Sequence, residues 1–259
     1  MKSLIIFFSL LLSAFISHSQ FTENIASGRP GQANGARTVG ARTFQLQAGG
    51  GYNTPTLDNN RIHNYTADAV LRVGITERFE VGALWNYRAT RYNFSENTFS
   101  NDGFASPAIR ARVNLNDEQK GLLPVFAIQA GAFLPIGDPE FGISQLSPFG
   151  RLMASYSFFD RVGLTFNYRM NFPNSTDKPA EHRYIASLSL NITQKLGILG
   201  EIYGDVYRTY HVSKFDYGIF YLVNEDLQLD INAGGHTINE DSNPFFINAG
   251  VSWRISVWR

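Results

Sequence analysis

Residues 104–137 read FASPAIRARVNLNDEQKGLLPVFAIQAGAFLPIG, two arms around the polar turn NDEQKG. In the first arm Pro107, Ile109, Ala111, Val113 and Leu115 alternate with Ser106, Ala108, Arg110, Arg112 and Asn114. A period of two sends the sets to opposite faces of a strand, so one face is apolar and the other carries charge. In the return arm Phe126, Ile128, Ala130, Ala132 and Leu134 oppose Ala127, Gln129 and Gly131. Soluble sandwiches and membrane barrels both use such hairpins, so this one predicts strands without choosing between the two.

The rest of the chain makes the choice. The same alternation recurs from Thr43 onward, as in Phe44, Leu46 and Ala48, in Phe79, Val81, Ala83 and Trp85, and in Val162, Leu164, Phe166 and Tyr168. It predicts about twelve strands. Tight links, such as Gly74–Glu77, the turn at Asp160, Gln194–Lys195 and Asn224–Asp226, alternate with longer ones, such as Ala89–Gly103, Asp138–Gln145 and Phe172–His182. Short turns at one end, longer loops at the other and both termini on the short side make the layout of a bacterial outer-membrane barrel. In a sandwich, so many charges on one inward parity would leave more buried ions than it could pair. The expected fold is all-β: a transmembrane antiparallel up-and-down β-barrel over residues 42–259.

Residues 1–19 predict a secretory signal. Lys2 precedes an apolar run from Leu4 to Ile16, and Ser17 and Ser19 are small residues placed for cleavage. The run is too short for a spanning helix. Cysteine is absent, so packing and sheet closure must supply stability. The formal net charge is zero, which gives no electrostatic footprint for nucleic acid. Residues 20–41 contain SGRPGQANGAR and no alternation, and they read as an irregular segment.

Function in a barrel belongs to the inward parity. The candidate pore lining is Asp68, Arg72, Glu80, Arg88, Arg110, Arg112, Arg151, Arg169, Glu201, Tyr203, Asp205, Lys214, Asp216 and Asp230. Arginines concentrate on the second to seventh expected strands and acids on the ninth to eleventh, so a transverse field would cross a wet lumen. The alternative is a set of structural ion pairs filling a narrow barrel. Starting on the periplasmic side, residues 20–41 could enter the lumen as a plug, with Arg29 and Pro30 at its centre and Arg29 set against Glu201 or Asp216. They could equally form a periplasmic tail. At the C-terminus Trp253 and Trp258 are read as the aromatic girdle and the insertion signal, with Arg259 one residue beyond.

SGRPGQ at 27–32, GFASPAIRARVNL at 103–115, GLLPVFAIQAGAFLPIGD at 121–138 and GEIYGDVY at 200–207 resemble the family of outer-membrane transporters named for the meta-pathway of phenol degradation. Gly28 stands where that family usually carries an acidic residue before the Arg-Pro pair. The resemblance implies passive passage of small molecules, aromatic or hydrophobic ones among them, across the outer membrane of a Gram-negative bacterium. The expected partners are outer-membrane lipids, the barrel insertion machinery and a small-molecule solute, with the barrel a monomer and without a cofactor. A closed structural or adhesive barrel and a surface lipid hydrolase are the competing readings. His211 lies near Ser213 and His236 beside Thr237, but neither run resembles a hydrolase motif, so no catalytic residue is expected. His63, His182, His211 and His236 are scattered and predict no metal site.

Overall fold

A computed structural model describes residues 25–57, 60–94, 97–116, 118–159, 161–172, 180–206, 211–236 and 245–256. The expected signal peptide and Trp258 lie outside these residues. The strands are β1 (Thr43–Asn53), β2 (Thr56–Leu57), β3 (Asn60–Gly74), β4 (Phe79–Phe94), β5 (Asn97–Phe104), β6 (Ala108–Asn114) and β7 (Val125–Phe133). They continue with β8 (Ser147–Phe158), β9 (Val162–Asn171), β10 (Glu181–Asn191), β11 (Leu196–Val206), β12 (His211–Asn224), β13 (Leu227–His236) and β14 (Phe246–Ser256).

Twelve of them form a closed antiparallel ring, running from β3 through β1, β14 and back down the chain to β6 and β4, with β3–β4 pairing completing the circle. The two others add no position. β2 is a short strand on β3. β5 extends the place held by β6, because the upper half of β4 pairs with β5 and its lower half, Phe79–Leu84, with β6. Closure satisfies the backbone of every strand laterally, which is what permits strands to stand in lipid.

Burial is inverted relative to a soluble protein. On β1, Phe44 and Leu46 are 41% and 43% exposed while Gln45 and Gln47 between and beside them are 0% and 3% exposed. The apolar parity faces outward all round the ring, and the interior is built from Gln, Asn, Ser, Arg, Asp and Glu. Such a cylinder is stable only with lipid against its outer face. Near the long-link end, Tyr52, Tyr168 and Tyr184 hydrogen-bond His63 Nδ1, His182 Nδ1 and His211 Nε2 at 2.7, 2.6 and 2.8 Å, with each ring pair stacked. These amphipathic pairs suit the level of the lipid headgroups.

Two boundaries differ from the sequence reading. Ala89–Gly103, expected as a loop, is mostly strand, continuing β4 to Phe94 and supplying most of β5. A hairpin that rises beyond the lipid has polar solvent on both faces, so it lacks the alternation that betrays a strand. The turn expected at NDEQKG is also longer, since β7 begins at Val125 and Leu122 stands 89% exposed in the link. Asn116 closes this link by donating from Nδ2 to the Pro124 carbonyl at 2.9 Å and accepting the Phe126 N–H at 2.7 Å.

Candidate functional site

Residues 25–42 run through the inside of the ring. The segment enters at the short-link end, where the Ile25 N–H donates to the Glu225 carbonyl at 2.8 Å, and returns there, where the Arg42 N–H donates to the Gly74 carbonyl at 2.8 Å. Between these points inward side chains satisfy its backbone, as an irregular segment at membrane depth requires. Gln45 and Arg72 donate to the Ala26 carbonyl, Gln228 to that of Arg29 at 2.7 Å, and Arg112 to those of Gly35 and Arg37 at 3.0 and 3.1 Å. Asn34 and Asn167 exchange two bonds, N–H to Oδ1 at 2.8 Å and Nδ2 to carbonyl at 2.9 Å. Glu80 accepts the Val39 N–H at 3.0 Å. The apolar contribution is small, a cluster of Ala36 with Val125, Ala127 and Met153.

Within this segment Arg29 lies across four strands. Gly49 of β1 pairs with Gly250 of β14 in register, Asp68 of β3 pairs with Gly49, and Asp230 of β13 pairs with Gly250. The row therefore reads acid, glycine, glycine, acid. Arg29 donates from Nη1 to Asp68 at 3.0 Å and from Nε to Asp230 at 3.2 Å. Its guanidinium occupies the space that a Cβ at either glycine would take. Pro30 rests on Gly218 in the same way. Arg29 thus misses the partners expected for it. Glu201 instead accepts the N–H groups of Gln32 and Ala33 at 2.5 and 3.2 Å, and Asp216 accepts from Asn232 at 3.3 Å. The reason is steric as well as electrostatic: the cradle wide enough for a guanidinium is at the paired glycines.

The other charges of the inward parity face the lumen and divide into groups. Glu80 is gripped by Arg72 at 2.7 and 3.0 Å and lies 3.4 Å from Arg112. Asp205 takes two bonds from Arg183 at 2.6 and 3.0 Å and one from Lys214 at 3.3 Å. Tyr203 is buried beside them. Arg110, Arg151 and Arg169 have no carboxylate within salt-bridge distance among the described residues. Arg169 rests instead on the rings of Phe149 and Phe133, with centroids at 4.7 and 5.4 Å. Arg88 is exposed, and its Nε bonds Asn86 at 3.0 Å. The neutral partners of the segment, Gln45, Gln47, Asn167 and Gln228, carry no charge to mark them in the sequence, and their shared inward parity is the one signal that points to them. His211 and Ser213 are neighbours at 3.4 Å, but the closer partner of His211 Nε2 is Tyr184 in the headgroup-level pairs.

Two cavities flank the segment. One of about 1060 Å³ opens at the short-link end, lined by Ile25, Phe159, Arg161, Phe220 and Gln228. The other, about 340 Å³, is lined by Gln32, Arg183, Tyr203, Lys214 and Asn248. Arg29, Pro30 and Gly31 lie between the residues that touch each.

The family described as "Putative MetA-pathway of phenol degradation" matches residues 27–255. The chain belongs to this family. Its match covers the ring and the lumenal segment together, beginning two residues before Arg29. Among solved structures, an outer membrane channel from Pseudomonas putida F1 superimposes with a TM-score of 0.67 at 9% identity, covering 88% of this chain and 100% of that one. A NanC porin gives 0.55 at 10% identity, covering 81% and 100%. A KdgM porin in complex with disordered oligogalacturonate gives 0.53 at 8%, covering 79% and 98%. No curated protein matches the chain. At these identities the shared feature is the fold, a β-barrel of the outer-membrane type.

Proposed function

We propose that this family member is a passive outer-membrane channel for small solutes, aromatic ones among them, whose lumen is narrowed by residues 25–42. The observation that carries the reading is a polar interior, closed all round, with a cavity on each side of one irregular segment. A barrel of this size lies between those filled by side chains and those that leave a wide channel, so an inserted segment decides its bore. In this reading Asp68, Arg72, Glu80, Arg110, Arg112, Arg151, Arg169, Glu201, Tyr203, Asp205, Lys214, Asp216 and Asp230 line the path, Arg88 stands at the outer mouth, and Arg29 and Pro30 form the constriction. The barrel acts as a monomer, surrounded by lipid, without catalytic groups.

The test is ion conductance of the refolded protein in planar bilayers, with and without residues 21–40. Steady conductance that rises on truncation supports the constricted channel. Silence in both forms overturns it and makes the barrel a closed structural element whose ion pairs fill the lumen.

A further inference from the structure

The interior donors are not evenly satisfied. Where the lumenal segment passes, arginines and glutamines give their N–H groups to its carbonyls. On the adjoining wall they do not. The buried Nε of Arg110, the buried Nε of Arg151 and the buried Nε2 of Gln129 have no hydrogen-bond partner. Arg112 Nε likewise makes no hydrogen bond, although Glu80 lies 3.4 Å away. The first three belong to neighbouring strands. Gln129 of β7 pairs in register with Arg112 of β6 on one side and with Arg151 of β8 on the other, while Arg110 follows Arg112 by one inward step. The orphans on Arg110, Arg112, Gln129 and Arg151 are all donors, while Asn114, one inward step from Arg112 toward the short-link end, has an orphan donor and an orphan acceptor, and further orphan acceptors lie at Gln45, Asp216 and Asp230.

Charge points the same way. Arg110, Arg151 and Arg169 stand on β6, β8 and β9 with no carboxylate in salt-bridge range among the described residues. Buried cations with no carboxylate in contact are costly, and an anion on this wall would offset that cost. One inward step toward the long-link end the surface changes character. Gly131 pairs with Phe149, whose ring lies over the glycine, and Phe133 follows on β7. Arginine forks beside aromatic rings suit a carboxylate attached to an apolar body.

We propose that the patch formed by Arg110, Gln129 and Arg151, with Phe133 and Phe149 beside it, is a binding site for small organic carboxylates on their way through the barrel. Arg110 and Arg151 keep part of their side chains exposed to the lumen, and there their guanidinium N–H groups donate to the carboxylate oxygens while the carbon skeleton lies toward the two rings. This deepens the channel reading by naming its solute class, and it rests on that reading for the word passage but not for the binding itself. The site is a weak one, since a conducting path needs sites that release what they hold.

The experiment is therefore an equilibrium one. Benzoate and acetate are titrated by calorimetry into the refolded full chain in detergent, for the wild type, Arg151→Gln, Arg110→Gln and, as control, Lys120→Gln in the exposed link between β6 and β7. Folding of each variant is checked by far-ultraviolet circular dichroism. Saturable millimolar binding, tighter for benzoate than for acetate, is expected in the wild type and in Lys120→Gln. Losing one charge-assisted bond should weaken it about tenfold in each of the other two. Absence of saturable binding, equal affinity in all four proteins, or equally tight binding of neutral phenol would each overturn the proposal. A barrel that binds benzoate but does not conduct would sink the channel and leave the site standing.

Discussion

A wall substitution that changes no charge should open the constriction. In Gly250→Ala the new Cβ would stand 2.5 Å from Arg29 Cζ, and the three nearest atoms all belong to the Arg29 guanidinium. The backbone there is ordinary strand paired with Gly49, so alanine brings no conformational strain. The side chain must move, and the move acts on its bonds to Asp68 at 3.0 Å and Asp230 at 3.2 Å. Charge-assisted bonds contribute roughly 1.5–3 kcal/mol each, and water in the lumen recovers part of the loss. A net change of about 2–4 kcal/mol shifts the ratio of docked to released segment roughly 30- to 1,000-fold. Single-channel recording reads this as more time in a high-conductance state. Deleting residues 21–40 should erase the difference between Gly250→Ala and wild type, since the substitution acts only through Arg29. Equal conductance in the intact variant and wild type, or a difference that survives the deletion, would refute the reasoning.

Two further outcomes follow from the ion groups. Glu80→Gln removes the carboxylate between Arg72 and Arg112 and leaves both cations buried, which should destabilise the barrel by about 3–5 kcal/mol; urea unfolding of the refolded protein measures it, and an unchanged midpoint would contradict the ion-pair assignment. Asp205→Asn releases Arg183 and Lys214 from their shared acid beside the smaller cavity. Reversal potentials in a salt gradient should then move toward anion selectivity, and the shift should fade as ionic strength rises.

Much of the ring was legible because lipid enforces a simple rule. Where one face of a strand meets hydrocarbon and the other meets polar groups, as at Phe44 to Gln47, alternation is unavoidable and parity can be read directly. Where water touches both faces, as along Ala89–Gly103, the rule has nothing to act on and a real hairpin looked like a loop. The interior was legible as a set of residues but not as a set of pairs. Asp68 and Asp230 are distant in sequence and come to flank one arginine only because the ring closes between β1 and β14, and no local pattern announces which acids flank which glycines. The room for Arg29 was likewise hidden, since a glycine in a strand reads the same whether it marks a bend or makes way for another side chain.

The acid, glycine, glycine, acid row bears on how the molecule is put together. Its two glycines come from the first and last strands, so the seat for Arg29 does not exist until the two ends of the sheet have met. The same arginine then bridges an acid on each side of that junction, holding β3 and β13 across the join. The N-terminal segment is a clasp as well as an obstruction: it can fasten only a finished cylinder, and once fastened it resists reopening of the join that made its seat.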